Sequence, residues 1–441
     1  MIIIRTDKLE FEFGIPQLYN TLGCSPNLTI SLCNWLQSNK KNIEYIKIAL
    51  YLFNNKYLFN ILKDLAESDI SIDVFSIPLE GYDKDYPKYL YEYNGRRKFG
   101  PYTKLDCASS IYHELKKIFN SNFRLHIVPH MYLRSNRVKS FSRGNMPYSL
   151  HCKSIFVKFK NNKYYAGITS SNLAVRDAQK LEVAYIMSLE NNAEITSARD
   201  FYRGLQENSI PIESFNSNDD YSHFPIITRN TPDKSVLMFT APFYKDSAAI
   251  FESNIIKIIQ KAKHRIIICA QHISSYNYYI NGRYLTPSHS GNIRKDGFLK
   301  TVLDKAKSGV QTTFLSQTYV DENGSHGCRA PENKKSFIEF ITAAKKIPNC
   351  NYYVNPSLHA KFIIVDDIVL ITTCNFTPTQ FIYLPNVEIT NFINIPNVSY
   401  SGIFCEIGSY IARIDANLTQ QMLNNIQAII NLDSTRKMFH Q

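Results

Sequence analysis

Apolar residues alternate between strand-like runs and helical spacing along the first half of this 441-residue chain. The run 44–53 is almost wholly apolar and predicts a buried strand, while 55–68 repeat their apolar positions at helical spacing. Residues 70–77 predict another strand, 104–119 a helix and 124–133 a further strand. Strands that alternate with helices in this way predict a layered βαβ fold of the α/β class.

The same order of patterns restarts near residue 234. It consists of strand, helix, strand, helix and strand, at 234–243, 246–263, 264–270, 297–309 and 310–317. The polar stretch 206–225 separates the two runs and is the predicted linker. We therefore expect two tandem domains, residues 1–215 and 226–441.

The last apolar pattern predicts a closing helix in the second domain. Its members recur at intervals near 3.5 residues: Ile407, Ile411, Ile414, Leu418, Met422, Ile426 and Ile429. Packing against the body of the protein is the plainer interpretation, and a homodimer formed through this helix is the alternative.

Composition narrows the class of partner and the compartment. Lys and Arg exceed Asp and Glu by 50 to 38, and this net charge of +12 favours polyanions such as nucleic acid or acidic lipid headgroups. Nine cysteines lie scattered without a CxxC pair, which is typical of reduced cytosolic thiols. No apolar run approaches the roughly 18 residues that a transmembrane helix needs, so we expect a soluble cytoplasmic protein.

The first candidate functional residues are two polar residues in an otherwise apolar run, "SLHAKFIIVDDIVLITTCNF". His359 and Lys361 are two residues apart, so on a strand they would point to the same side. Asp366 closes that strand into a turn, and a second strand follows. This second strand ends at Thr373 and Asn375, where it would return beside the histidine.

The first half contains a counterpart of this pattern. It comprises His151, Lys153, Ser170, Asn172 and Glu182. In the second half the downstream carboxylate is Glu388. Two copies of His-x-Lys, Ser/Thr-x-Asn and Glu, each in its own α/β half, are hard to attribute to chance.

These motifs resemble those of the phospholipase D superfamily, the HKD phosphodiesterases, whose pattern is HxKxxxxD, a Gly-Ser-x-Asn-like segment and a downstream Glu. The second copy matches HxKxxxxD fully, whereas in the first copy Lys158 stands where the Asp would be. That departure is similar to the tyrosyl-DNA phosphodiesterase and restriction-nuclease branches. The resemblance implies two tandem α-β-α sandwich domains related by a pseudo-two-fold axis.

The resemblance also implies one active site between the two domains. His151 would be the nucleophile that forms a phosphohistidine, and His359 the general acid and base. The phosphate would be bound by Lys153, Lys361, Asn172 and Asn375, with lesser contributions from Ser170 and Thr373. Glu182 and Glu388 would orient the histidines, and Asp366 would stabilise its turn. Lysines and asparagines can do the electrostatic work of Mg²⁺, so no metal or cofactor is expected.

His126 and His130, in "HIVPH", are a competing candidate because two histidines so close together could suggest a metal site. No acidic or cysteine partner stands at ligand spacing, however. We therefore expect histidines of the core or of a cleft wall.

Two predicted loops, 132–145 and 276–295, indicate the substrate. Their candidate phosphate-binding residues are Arg134, Arg137, Arg143, Arg283 and Arg294. Cations interleaved with tyrosines are typical of single-strand binding. We therefore predict a metal-independent nuclease that acts on DNA or RNA. The alternatives are a phospholipase D or phosphatidyltransferase, and an inactive member that binds nucleic acid; a partner protein in a defence system also stays open.

Overall fold

The computed structural model describes two compact units, Met1–Ser235 and Val236–Gln441. The described residues are 2–6, 9–14, 27–51, 53–77, 92–93, 96–97, 111, 114–115, 122–128, 150–174, 180–215, 227, 229–231, 237–245, 247–277, 279–280, 283–284, 297–320, 334–381, 384–385, 402–403 and 406–439. Each unit contains a mixed sheet and helices.

The sheet of the first unit has nine strands in the order β1-β2-β10-β9-β8-β3-β4-β7-β11. Its strands are β1 (Ile2–Thr6), β2 (Leu9–Gly14), β3 (Ile43–Leu50), β4 (Ser71–Ser76), β7 (Phe123–Ile127), β8 (Ser154–Phe159), β9 (Tyr164–Thr169), β10 (Glu182–Leu189) and β11 (Ile210–Pro211). Strands β5 (Glu92–Tyr93) and β6 (Arg96–Arg97) form a separate hairpin. The described helices are α1 (Asn27–Ser38), α2 (Lys56–Ala66) and α3 (Asn192–Glu207).

The sheet of the second unit has eight strands in the order β12-β22-β19-β18-β13-β16-β17-β23. Its strands are β12 (Leu237–Thr240), β13 (Arg265–Ala270), β16 (Gln311–Ser316), β17 (Cys350–Val354), β18 (Phe362–Val365), β19 (Ile368–Thr372), β22 (Gly408–Ile414) and β23 (Arg436–Phe439). Two short hairpins pair β14 (Tyr279–Ile280) with β15 (Arg283–Tyr284) and β20 (Leu384–Pro385) with β21 (Gly402–Ile403). The described helices are α4 (Ser247–Gln260), α5 (Phe298–Lys307), α6 (Lys334–Ala344), α7 (Pro378–Phe381) and α8 (Ala416–Ile430).

The two sheets follow one plan once β1 is set aside. In the first, β3, β4 and β7 pair in parallel, and in the second β13, β16 and β17 do so. The remaining pairs are antiparallel and fall in the same order, from β2 to β11 and from β12 to β23. The predicted repeat of an α/β sandwich is therefore confirmed at the level of strand order.

Local sequence explains why the predicted helix over 55–68 forms as α2. The Asn55 side chain accepts hydrogen bonds from the backbone N–H groups of Tyr57 and Leu58, which caps the first turn. Apolar residues at helical spacing, Leu58 and Leu62 among them, are buried. The capped first turn and the single buried apolar face therefore both favour a helix at these residues.

The closing helix is shorter than predicted. Residues Gly408–Ile414 form strand β22, and α8 begins only after Asp415, whose side chain accepts the N–H of Leu418. Strand β22 lies between β12 and β19, and most of it is buried on both faces. Ile407, Ile411 and Ile414 lie at helical spacing, so periodicity alone extends the predicted helix into this strand.

The stripe that the helix does carry is buried inside the second unit. Leu418, Met422, Ile426 and Ile429 are nearly inaccessible to solvent, and α8 packs against β19. Packing against the body therefore accounts for this stripe, and the homodimer through it has no support.

The predicted linker 206–225 begins inside the fold. Its first residues end α3, and Ile210–Pro211 form β11, which pairs with β7. A polar helix end followed by a two-residue edge strand resembles a loop in sequence. Residues 216–225 lie outside the described part of the chain, as does most of the predicted helix 104–119.

The histidine of β7 belongs to a charge cluster on the parallel strands. Asp73 accepts a hydrogen bond from Arg124 Nε at 2.6 Å and lies 3.2 Å from His126 Nε2. Lys47 Nζ is 3.7 Å from the same carboxylate, and the His126 ring stacks on Phe75 with centroids 4.7 Å apart. His126 is therefore a buried, paired histidine of the sheet.

We expect Asp73→Asn to lower the free energy of unfolding at pH 7 by about 2 kcal/mol, because the change leaves Arg124 and His126 without a carboxylate. Burial alone would raise the pKa of Asp73, but hydrogen bonds from His126 and Arg124 outweigh burial and lower it. A folded-state pKa below the unfolded value of about 3.9 stabilises the fold above that pH, and the contribution is lost as pH falls through the folded pKa.

Urea unfolding of wild type and variant between pH 7 and pH 2.5 measures this difference, which should shrink below about pH 4. Asp304→Asn is the control because the Asp304 side chain is 71% exposed. A difference that stayed constant over this range would contradict the assignment.

Candidate active site

Both His-x-Lys segments lie directly before a strand and not within one. His151 and Lys153 precede β8, and His359 and Lys361 precede β18. Strands β8 and β18 run antiparallel to β3 and β13, so each pair lies at the carboxyl end of the parallel strands. Ligands of open α/β sheets usually bind at this edge.

The lysines fold back onto their own histidines in the same way in both units. Lys153 Nζ donates to the His151 carbonyl oxygen at 2.6 Å, and Lys361 Nζ donates to the His359 carbonyl oxygen at 2.6 Å. Neither lysine is accessible to solvent. Each histidine and its buried ammonium group are thus held together as one structural unit.

The return strands end beside these pairs, as predicted. The N–H of Thr169 donates to the carbonyl of Lys153 at 3.0 Å, and the N–H of Thr372 donates to the carbonyl of Lys361 at 3.1 Å. This register brings the Ser/Thr-x-Asn segment of each unit to the same sheet edge as the His-x-Lys pair.

The hydroxyl groups of these segments connect them to the next strand. Ser170 Oγ accepts the N–H of Val183 at 2.9 Å, and Thr373 Oγ1 accepts the N–H of Ser409 at 3.0 Å. Ser170 also donates to the buried carboxylate of Glu182. These side chains fix the edge of the sheet.

The two asparagines that follow are only 7% exposed. Asn375 Oδ1 accepts the backbone N–H of His272 at 3.2 Å. With its oxygen held, the NH₂ group of Asn375 is the part of the amide that can donate to an anion. Asn172 occupies the matching place after β9.

Two residues that the motifs did not indicate lie at the same edges. The ring of His272 is buried, with Nδ1 3.3 Å from Thr318 Oγ1. The ring of Tyr51 lies against His151, with centroids 5.8 Å apart. Both follow the carboxyl end of a parallel strand, and that position was the available signal.

The carboxylate of the first unit has no counterpart at the matching strand position. Glu182 directly precedes Val183, so the residue that precedes Ser409 corresponds to it, and this is Gly408. A Cβ on Gly408 would lie 2.3 Å from Cys374 Sγ, so no side chain fits there without rearrangement.

Asp366 lies at the far end of β18 from His359. Its carboxylate accepts the backbone N–H groups of Lys263, His264 and Arg265 at 2.8 to 2.9 Å. Partial burial would raise the pKa of Asp366, but these bonds outweigh it and lower the pKa. Asp366 thus ties the β18–β19 turn to the loop before β13.

Lys158, which stands where the family motif has Asp, pairs with Glu44 at 2.7 Å. Several predicted site residues lie outside the described part of the chain: Glu388, Arg134, Arg137, Arg143 and Arg294. Of Arg283 only the backbone, in β15, is described.

The described residues contain no group of three or more His, Cys, Asp or Glu side chains arranged to hold a metal. Within the same residues, no helix combines the length and apolar character needed to cross a bilayer. The described cysteines are buried thiols: Cys33, Cys152, Cys269, Cys350 and Cys374.

Solved structures share the fold, although no protein-family model and no curated protein sequence matches the chain. Phosphatidylserine synthase from Haemophilus influenzae Rd KW20 aligns over 100% of this chain and 89% of its own, at 11% identity and a TM-score of 0.55. Polyphosphate kinase from Porphyromonas gingivalis aligns over 93% of this chain at 9% identity and a TM-score of 0.50. This chain spans only 47% of that kinase.

Yeast tyrosyl-DNA phosphodiesterase aligns over 92% of this chain and 89% of its own, at 11% identity and a lower TM-score of 0.45. Phosphatidylserine synthase and polyphosphate kinase are members of the phospholipase D superfamily. The chain therefore has the fold of that superfamily, as its motifs indicate.

We expect Gly408→Ala to lower the free energy of unfolding by about 2 kcal/mol, because the added methyl group overlaps Cys374 Sγ. Cys374→Ala removes that sulfur, so the double variant should lose less stability than the two single losses added together. Urea unfolding of the four proteins measures the coupling. Strictly additive losses would show that the contact between Gly408 and Cys374 is not the constraint.

Proposed function

We propose that this protein is a metal-independent phosphodiesterase that cleaves nucleic acid through a phosphohistidine. One observation carries the proposal: the same hydrogen-bonded His-x-Lys arrangement recurs at the same sheet edge in both units. A buried ammonium group is costly unless it is hydrogen-bonded or meets an anion. Two such groups, each beside a histidine and an asparagine, are suited to the oxygens of a phosphodiester.

In the proposed first step, His151 attacks phosphorus, the bond from phosphorus to the leaving oxygen breaks, and His359 gives that oxygen a proton. In the second step His359 takes a proton from water, the water oxygen attacks phosphorus, and the bond to His151 breaks. The proposal requires both histidines to reach one phosphorus atom.

The remaining requirement is to stabilise the negative charge on the non-bridging phosphate oxygens. We assign this role to Lys153, Lys361, Asn172 and Asn375. The hydroxyls of Ser170 and Thr373 hold the sheet edge through backbone bonds, so their role is to position the asparagines. Glu182 would act on the first half-site through Ser170.

Nucleic acid is the favoured substrate because the protein is positively charged and nucleic acid is a polyanion. The net charge of +12 favours a polyanion. In the first motif Lys158 stands where the family pattern has Asp, and this departure is similar to the nuclease branches. DNA is the first substrate to test.

Phosphatidyl transfer is the second candidate. Phosphatidylserine synthase from Haemophilus influenzae Rd KW20 has the same fold over the whole length of this chain. The chemistry would be the same, with an alcohol in place of water in the second step. Only the substrate separates the two candidates.

We expect the protein to cleave labelled single-stranded DNA in the presence of EDTA. Parallel reactions contain double-stranded DNA, RNA or phosphatidylcholine vesicles, each with EDTA or with Mg²⁺. Release of the lipid headgroup without nucleic-acid cleavage would favour the second candidate. Binding of nucleic acid without turnover of any substrate would favour an inactive binding protein.

We expect His151→Ala and His359→Ala each to lower kcat by at least about a thousandfold, because each removes a group that bonds to phosphorus or moves a proton. His264→Ala is the matched control, because its backbone N–H and not its ring holds Asp366. His126→Ala should lower stability and leave the turnover of folded protein unchanged. Retained turnover in either active-site variant would refute the model of one shared site.

The phosphoryl group trapped by quenching during turnover should be found on His151 by mass spectrometry. The His359→Ala variant should increase the trapped fraction if the leaving group is activated, because hydrolysis of the intermediate is then slowed. A phosphoryl group found on His359 would reverse the two roles and leave the reaction class unchanged.

A further inference from the structure

The ring of Tyr51 contacts both members of the first His-x-Lys pair. Its centroid is 5.8 Å from that of the His151 ring, at an interplanar angle of 72°. Lys153 Nζ lies over the same ring, 5.4 Å from its centroid. Tyr51 directly follows β3 and is partly exposed at the sheet edge.

The second unit has glutamine at the matching position. The residue after the lysine is Ser154 in the first unit and Phe362 in the second. Ala49 lies opposite Ser154, and Cys269 lies opposite Phe362. Two residues further along each strand lie Tyr51 and Gln271. The buried Gln271 side chain donates to Gln317 Oε1 at 3.2 Å. At this matching position the first half-site thus has an aromatic ring and the second has an amide side chain.

An aromatic face attracts cations that lie within about 6 Å of its centroid. Lys153 is one such cation. The imidazole of His151, whose centroid is 5.8 Å from that of Tyr51, gains positive charge when it acquires a phosphoryl group. An interaction that strengthens as charge develops stabilises the transition state more than the bound substrate, so it raises kcat and leaves KM unchanged.

We propose that Tyr51 is a positioning residue for the His151–Lys153 half-site and that its ring favours the cationic state of His151. The inference rests on the proposed phosphodiesterase function and deepens it. The two half-sites therefore differ at this position, where the second unit has Gln271.

Tyr51→Gln gives the first half-site the residue of the second, and Tyr51→Leu keeps apolar bulk without an aromatic face. Both should lower kcat about tenfold with KM changed less than twofold. Tyr51→Phe keeps the ring and should retain most of the wild-type kcat. Tyr57→Gln is the control, because Tyr57 is an exposed tyrosine of helix α2. Melting temperatures identify any variant that loses activity by unfolding.

A second readout does not depend on activity. Proton–carbon NMR of protein labelled at histidine rings should show the His151 resonance shifted by the Tyr51 ring current, with His151→Ala assigning the signal. Tyr51→Leu should remove this shift and Tyr51→Phe should keep it.

The outcomes separate the two proposals. Wild-type protein that cleaves no phosphodiester would overturn the proposed function, whereas the NMR shift would still test the contact. Active wild type with undiminished kcat in folded Tyr51→Leu would overturn the role of Tyr51 and leave the phosphodiesterase standing. Equal losses in Tyr51→Phe and Tyr51→Leu would also overturn it, because the hydroxyl and not the ring would then matter.

Discussion

Burial of an ammonium group is the constraint on which both half-sites depend. A lysine at a sheet edge can usually reach water, yet Lys153 and Lys361 are wholly buried. Each amine turns back to the carbonyl of the histidine two residues earlier. The bond holds the cation at the backbone of the histidine, and the return strand, bonded to the lysine carbonyl, brings the asparagine to the same edge. One satisfied charge thus organises three functional groups.

The strand order explains why this arrangement occurs twice. Each His-x-Lys segment precedes a strand that runs antiparallel to the first of three parallel strands. The carboxyl ends of these parallel strands and the start of that antiparallel strand therefore share one edge. Side chains around this frame differ between the copies: Tyr51 corresponds to Gln271 in sequence position, and Glu182 corresponds to Gly408. The frame is symmetric in construction, and its chemistry need not be.

Motifs and alternating patterns could be predicted from the sequence because they depend on neighbours along the chain. The helix at 55–68 and the return of Thr372 beside Lys361 are of this kind. The extent of the closing helix could not be predicted, because Ile407, Ile411 and Ile414, in or beside strand β22, continue the spacing of the helix. Tyr51 and His272 carry no motif, and only the register between strands places them at the site edges.

The downstream carboxylate shows how the two halves correspond at the sheet edge. Glu182 follows Asn172 by ten positions, whereas Glu388 lies outside the described part of the chain. In the second unit, however, the matching strand begins only at Gly408, because a longer segment intervenes. Loop length is free to vary, whereas the bond between the hydroxyl of Ser170 or Thr373 and the next strand is not. Correspondence between the two halves is therefore set by hydrogen-bond register. By that criterion the carboxylate at this strand position belongs to the first half-site alone.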